Sequence, residues 1–201
     1  YMISTSHGKT SMLTLLLTGI AISSFLSACT SLLISFSNAG VMLQIVQWLM
    51  GDLNGRDWGH VQILIIPVLF SICLFIYYAS DLDIFLLGEE QAQNMGISVQ
   101  RTRNWLLIVA SLVTGISVAL TGAIGFVGLI VPHMIRMIIG PSHRYLLPAS
   151  ALGGATFLIL ADLISRLVIR PAEIQIGIIT AFFGAPFFIY LIVKNKKKQE
   201  V

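Results

Sequence analysis

Long apolar stretches, separated by short polar segments, run along the whole chain. About 20 residues at a rise of 1.5 Å cross a hydrocarbon core of about 30 Å, so each long stretch predicts a transmembrane helix. We predict six crossings, at residues 11–36, 61–78, 105–120, 124–139, 145–169 and 174–193.

The stretch 124–139 is short for a membrane span, and it contains Gly125, Gly128 and Pro132. These residues favour irregular backbone, which membranes tolerate where other helices shield it. The stretch therefore predicts either a short span or a re-entrant segment. We expect its glycines to permit close helix packing and Pro132 and His133 to shape a helix end.

Composition places the chain among membrane proteins. Hydrophobic residues make up 56% of it and charged residues only 10%, whereas soluble domains carry roughly 25% charged residues. We therefore expect an all-α, polytopic transmembrane bundle in one domain, 1–201. Cys29 and Cys73 lie inside apolar stretches without metal-ligand spacing, and no metal site is predicted.

The basic residues indicate the orientation, since short cytoplasmic loops carry an excess of Lys and Arg. Six crossings put nine of the twelve on the side that holds both termini, so we expect both ends to be cytoplasmic. The nine are Lys9, Arg101, Arg103, Arg136, Arg144, Lys194, Lys196, Lys197 and Lys198; the other three are Arg56, Arg166 and Arg170.

This orientation makes the segment 37–59 extracytoplasmic. Its apolar part, 41–50, predicts a short helix followed by a turn-rich run, GDLNG at 51–55. The helix is either a surface connector or an element that shapes the outer mouth of a pathway.

A polar island at 80–104 stands between two predicted spans on the cytoplasmic side. Residues 89–95 are good helix formers between two glycines, and Gly96 is well placed to end the helix in a left-handed conformation. The small Ala92 permits close approach, and a glutamate offers charge to basic groups, so this helix suits the cleft of a soluble partner. The residues of this predicted coupling element are Gly88, Glu89, Glu90, Ala92 and Gly96.

The pattern of Glu90, Ala92 and Gly96 is similar to the cytoplasmic coupling motif of ABC importer permeases. More specifically, residues 121–192 resemble the FecCD-type permeases. The segments that carry this resemblance are GFVGLIVPH at 125–133, HR at 143–144 with LP at 147–148, AD at 161–162, Arg166, EIQIG at 173–177, and GAP at 184–186, which includes Pro186.

The resemblance implies a subunit of ten spans, of which this chain would hold the fifth to the tenth. We therefore expect a permease domain that is incomplete on its N-terminal side. The family imports iron-siderophore complexes, haem or cobalamin across the bacterial cytoplasmic membrane, and an iron-siderophore complex is the first expectation here.

The implied partners are two cytoplasmic ATP-binding subunits, a second permease subunit that is identical or different, an extracytoplasmic substrate-binding protein, and membrane lipid. No cofactor, no catalytic activity of its own and no nucleic-acid partner are expected. Similar permeases place a basic residue at the position of Arg166, where it meets acidic groups of the binding protein; Arg56, Arg170 and Glu173 are further docking candidates.

Asp162 lies four residues before Arg166 on the same helical face, so the two can form an ion pair that only orders the helix end. Other classes of protein also stay open. An ion-driven secondary transporter would account for the apolar composition and Asp162, and an intramembrane protease for the pair Glu89 and Glu90 or for Ser117. A truncated product without independent activity is a further alternative.

Overall fold

The structure, a computed structural model, describes residues 5–6, 9–10, 12–169 and 173–199. These residues form nine helices and two two-residue strands that pair antiparallel. The elements are β1 (Thr5–Ser6), β2 (Lys9–Thr10), α1 (Met12–Ser35), α2 (Ala39–Leu49), α3 (Trp58–Tyr77), α4 (Ala79–Phe85), α5 (Glu89–Asn94), α6 (Val99–Thr121), α7 (Val127–Ile139), α8 (His143–Leu167) and α9 (Ile176–Gln199).

Five of the described helices, α1, α3, α6, α8 and α9, are long and apolar enough to cross a membrane. The all-helical, multi-pass membrane fold is therefore confirmed. The fourth predicted stretch, 124–139, instead begins with non-helical residues 124–126 and continues as α7. The 13 residues of α7 rise about 20 Å, which is less than the hydrocarbon thickness, so α7 alone would not cross.

The described helices group into two compact units, residues 1–46 and 47–201. In the first unit, α1 carries several hydroxyl side chains within an apolar span. Thr18, Thr30 and Ser35 donate to the carbonyl oxygens four residues earlier, at 2.7, 3.0 and 3.0 Å. Their polar groups are satisfied inside the helix, which makes them compatible with lipid.

In the second unit, α8 occupies the central position, since it contacts α3, α4, α7 and α9. Part of the core lies where α8 meets the start of α9 and consists of Ala161, Ile176 and Ile179. The helix α3 begins at Trp58 because Asp57 caps it, accepting hydrogen bonds from the N–H groups of Gly59 and His60 at 3.0 and 3.3 Å.

Two glycines let separate backbones meet at the end of α2. A Cβ atom at Gly122 would lie 2.1 Å from the carbonyl oxygen of Trp48, and one at Gly177 would lie 2.0 Å from that of Met50. Only glycine fits at such separations. The Trp48 indole N–H also donates to the carbonyl oxygen of Ala119 at 3.4 Å, which fixes this end of α2 on α6.

The structure corrects two expectations about the segment 124–139. A Cβ atom at Gly125 or Gly128 would meet no other atom within 4 Å, so these two glycines do not permit close packing within the described chain. Pro132 and His133 lie inside α7 rather than at its end. The His133 ring contacts that of Phe187 edge-on, with 6.5 Å between centroids.

Pro186 lies inside α9 rather than at a helix boundary. Proline is tolerated within membrane helices because neighbouring groups can satisfy the freed carbonyl.

Candidate functional site

The polar island contains two short helices rather than one. The sequence predicts the second helix, α5. It does not predict α4, which lies before α5 in the chain and is separated from it by a turn at 86–88. The last residues of the island, 99–104, form the first turns of α6. The candidate site is therefore a short helix suspended between two membrane-length helices, α3 and α6.

Both glycines that bound α5 have positive φ. Gly88 precedes the helix with φ 113° and ψ 151°, and its carbonyl oxygen accepts the N–H of Ala92 at 3.1 Å. Gly96 has φ 83°, its N–H bonds to Gln93 O at 2.9 Å, and the N–H of Ile97 bonds to Ala92 O at 3.1 Å. These two bonds form a Schellman motif, so the predicted left-handed end at Gly96 is confirmed.

The two faces of α5 differ in exposure. Ala92 is fully buried within the chain, and α5 contacts α4 and α6. The prediction that Ala92 offers close approach to a partner was therefore wrong: its small side chain lets α5 sit on its own neighbours. Glu90, two residues earlier, is exposed and leaves a carboxylate available to another molecule.

Glu89 ties α5 to α6. Its carboxylate accepts a hydrogen bond from Arg103 Nη1 at 2.9 Å, and Arg103 Nη2 donates to Gln100 Oε1 at 2.7 Å. The Arg103 Nε atom is buried and has no hydrogen-bond partner among the described residues. The pair is partly exposed, with 62% of the Glu89 side chain accessible. Such a pair contributes little to the free energy of folding, and its main effect is to orient α5 against α6.

Asp83 ties α4 to α8. Its Oδ1 accepts the backbone N–H of His143 at 2.7 Å and lies 2.7 Å from His143 Nδ1, while its Oδ2 accepts the Ser142 hydroxyl at 3.2 Å. Partial burial raises the pKa of Asp83, but the hydrogen bonds from His143 and Ser142 favour the carboxylate more strongly and hold the pKa below its ordinary value.

Sequence reasoning missed this contact, since Asp83 and His143 are 60 positions apart. A local signal was nevertheless present. Ser142 precedes the helix α8 in the position where a capping serine is expected, yet its own side chain makes no cap bond there. Instead, the carboxylate of Asp83, in α4, accepts the first N–H of α8.

An apolar pocket of about 470 Å³ adjoins the contact of Glu89 with Arg103. Residues of α3, α4, α6 and α8 line it, and Glu89 and Arg103 stand at its edge. The lining residues include Phe75, Leu82, Phe85, Leu106 and Leu147.

The far end of α8 carries the predicted pair of Asp162 and Arg166. Arg166 Nε donates to Asp162 Oδ2 at 2.8 Å and Nη2 donates to Oδ1 at 3.1 Å, a two-point geometry that suits guanidinium and carboxylate. The Arg166 side chain remains 41% exposed. Asp52 and Glu173 also interact electrostatically with it, so an incoming acidic group would compete with carboxylates of this chain.

Glu173, another docking candidate, lies near the same end of α8. The Asn54 side-chain amide donates to Glu173 Oε2, which joins the turn-rich run to the start of α9, and the N–H of Ile174 bonds to Ser165 O at 3.2 Å. Arg56 is exposed. Arg170 lies outside the described residues.

The side chains named for the intramembrane protease alternative are engaged within the chain. No group of three or more His, Cys, Asp or Glu side chains able to hold a metal ion occurs in the described part of the chain. The Ser117 hydroxyl donates to Val113 O at 2.8 Å in its own helix, and Glu89 is paired with Arg103. The geometry therefore offers neither an activated serine nor a pair of adjacent free glutamates.

These features define a multi-pass helical membrane protein in which a short, glycine-bounded helix is held between long apolar helices. The sequence model of the FecCD transport family matches residues 1–194. The chain belongs to the FecCD transport family.

Curated relatives are similar over nearly the whole chain. It is 45% identical over 192 residues to the cobalamin import system permease protein BtuC of Halobacterium salinarum, covering 96% of this chain and 51% of that protein. It is 42% identical to the Fe(3+) dicitrate transport system permease protein FecD of Escherichia coli, with 90% and 57% covered. It is 37% identical to the hemin transport system permease protein HmuU of Yersinia pestis, with 96% and 57% covered.

A solved structure described as an inward-facing conformation of a metal-chelate type ABC transporter superposes with a TM-score of 0.84 at 35% identity. The match covers 92% of this chain and 60% of that one. The chain thus has the fold of an ABC permease, and it spans about half the length of the curated relatives it matches.

Proposed function

We propose that this chain forms part of the permease subunit of a binding-protein-dependent ABC importer in a bacterial cytoplasmic membrane, with α4 and α5 on the cytoplasmic side. The permease does no chemistry, and two partner subunits hydrolyse ATP. A second permease subunit, identical or different, completes the pathway. The names of the relatives, all import or transport permeases, support this class of function.

The observation that carries the proposal is the form of α5. Glycines with positive φ bound it, Ala92 seats it on the chain, and Glu90 faces outward. Such a helix can fill a cleft of an ATP-binding subunit as one body. Closure of the paired ATPases on ATP would then displace α5 and, through it, the long helices, provided that the ATPase binds the two permease states with different affinity.

We propose an iron-siderophore complex as the substrate. The FecD relative transports ferric dicitrate by name, whereas the BtuC and HmuU relatives bear the names of cobalamin and hemin systems. Uptake of a labelled ferric siderophore, hemin and cobalamin by proteoliposomes that contain the full-length importer tests the choice. Uptake of cobalamin or hemin without the ferric siderophore would replace it.

We propose further that the Arg166 end of α8 is extracytoplasmic and meets acidic groups of the substrate-binding protein, with Arg56, Arg170 and Glu173 nearby in the sequence or the fold. The exposed part of the Arg166 guanidinium supports this role. An ion-driven secondary transporter is less well supported, because Asp162 is held by Arg166 rather than left available to a coupling ion.

The coupling role of α5 is tested by Glu90→Lys in the full-length permease assembled with its ATPases and binding protein. A basic side chain should repel the basic groups that Glu90 is proposed to meet, so stimulation of ATP hydrolysis by the loaded binding protein should fall about fivefold or more. Stimulation is measured in proteoliposomes beside the basal ATPase rate.

Asn94→Lys is the matched control, since it introduces a lysine in the last turn of α5 and keeps Glu90, although the charge then changes by one unit instead of two. It should lose less stimulation than Glu90→Lys. Normal coupling in Glu90→Lys would overturn the proposal.

A further inference from the structure

The helix α8 connects the two candidate contact sites of the chain. Its 25 residues rise about 37 Å, from His143 at one end to Leu167 at the other, with Pro148 inside the first turns. Asp83 binds its first residue, and Arg166 stands in its last turn. If α8 moves as one body, a displacement applied at one end would reach the other.

The first turn of α8 depends on the carboxylate that caps it. The opening N–H groups of a helix lack intrahelical partners, and their partial positive charge favours an anion. Asp83 supplies the anion and takes the N–H of His143. Pro148, which has no N–H, also removes the bond that the carbonyl of Arg144 would accept, so this end of α8 has fewer bonds of its own.

The same carboxylate belongs to the element that holds α5. α4 ends at Phe85, α5 begins at Glu89, and the two helices are in contact. Asp83 therefore joins α8 to the body that is proposed to follow the ATPase. Glu89 and Arg103 form a second connection, which leads to α6 instead.

We propose that Asp83 is a positioning residue that transmits movement between α5 and α8, so that docking at the Arg166 end and ATP hydrolysis at the α5 end influence each other through one helix. This inference rests on the proposed function of α5. It adds the contact of Asp83 with Ser142 and His143, at the start of α8, to the elements through which ATPase motion enters the membrane helices.

A cap that only stabilised α8 would behave differently. Its removal would lower the thermal stability of the permease, and the response of the ATPase to the binding protein would stay intact in the molecules that remain folded. A transmitting contact, when removed, reduces the response of folded complexes. The ratio of stimulated to basal ATPase activity separates the two roles.

The test uses the full-length permease with its ATPases and binding protein in proteoliposomes. Asp83→Asn keeps the shape and one acceptor oxygen and removes the charge. We expect the stimulation by loaded binding protein to fall about fivefold or more, while basal hydrolysis and the affinity for the binding protein stay within twofold, about the experimental error of such measurements.

Asp81→Asn is the matched control, since it removes a carboxylate from the same helix that makes no hydrogen bond to α8 among the described residues, and it should leave the stimulation unchanged. Two milder variants keep the test valid if Asp83→Asn assembles poorly. Ser142→Ala removes the longest of the three contacts, and His143→Ala removes the ring contact but keeps the N–H. The loss of stimulation should therefore be smallest for Ser142→Ala, larger for His143→Ala and largest for Asp83→Asn.

Normal stimulation in Asp83→Asn and His143→Ala would overturn the inference. Glu90→Lys, measured in the same preparation, tells which idea has failed. If Glu90→Lys loses stimulation and the Asp83 variant does not, the coupling role of α5 stands and only the transmission through α8 is wrong.

Discussion

Gly184 of α9 lies directly against Phe126, so closely that a Cβ atom at Gly184 would come within 2.5 Å of the Phe126 Cβ. Phe126 precedes α7 and has φ 67°, the positive φ of a non-glycine residue. A bulky residue rarely adopts this conformation, which costs of order 1–3 kcal/mol. The surrounding packing must therefore hold Phe126 in place, and Gly184 provides the space.

Gly184→Ala should destabilise the permease, because the added methyl group would meet a Cβ atom that cannot rotate away. Overpacking of this kind costs about 1–3 kcal/mol, and the melting temperature of the purified protein in detergent should fall. Gly128→Ala is the control: it lies in α7 with no atom within 4 Å of its Cβ position, so it should be neutral or slightly stabilising. Equal effects of both variants would contradict the packing assigned to Gly184.

Gly96→Ala should weaken the end of α5. Gly96 has φ 83°, and an L-residue with a Cβ atom pays roughly 1–2 kcal/mol in the left-handed region. Because the cost falls on a short surface helix, faster hydrogen exchange around 92–97 is the expected readout, with little change in the global melting temperature. Gly115→Ala in α6, where φ is not positive and nothing lies within 4 Å, should leave exchange at α5 unchanged.

The membrane-length helices could be predicted from the sequence because lipid imposes a minimum length of apolar residues. The exact ends of these helices could not be predicted. Hydropathy placed the start of α6 at Trp105, whereas the helix begins at Val99, since polar residues can continue a helix beyond the apolar region.

The left-handed end of α5 was predictable because it depends on one local residue, Gly96. The helix α4 was not, since a helix of seven residues is unstable alone and is held here by contacts distant in sequence, such as that between Asp83 and His143. The same distinction explains Ala92. The sequence shows that it is small, but only the fold shows that it faces inward.

The stability contributed by Asp83 should depend on pH in a defined direction. Since the pKa of Asp83 in the folded protein is lowered, the folded state binds the proton less well than the unfolded state. The contribution is complete above the unfolded pKa, about 3.9, and is lost as the pH falls through the lower folded pKa. The polar groups that bind the Asp83 carboxylate in the structure are those of Ser142 and His143.

The melting temperatures of wild type and Asp83→Asn should therefore differ by a constant amount from pH 7 to about pH 5 and converge below about pH 4. Thermal unfolding of the detergent-solubilised permease across this range measures the difference. Convergence between pH 7 and pH 6, where histidines normally titrate, would assign the effect to an imidazole and contradict the role of the carboxylate.

Arg166→Glu should weaken the affinity of the substrate-binding protein, because it places a negative charge beside Asp162 where an acidic partner is proposed to bind. Binding of the labelled binding protein to the full-length permease in nanodiscs measures the effect. The wild-type affinity should fall as salt rises, since exposed charges are screened within about 10 Å at 0.1 M, and the affinity of Arg166→Glu should lose this dependence.

Asp162→Asn separates docking from a purely structural ion pair. In the structure, Asp162 accepts hydrogen bonds from Nε and Nη2 of Arg166. Removal of the Asp162 charge therefore frees the guanidinium for an acidic partner. Docking should then become tighter, although the melting temperature falls. If the pair only orders the end of α8, Asp162→Asn and Arg166→Glu would both lower the melting temperature and leave the affinity for the binding protein unchanged, which would exclude Arg166 from the docking surface.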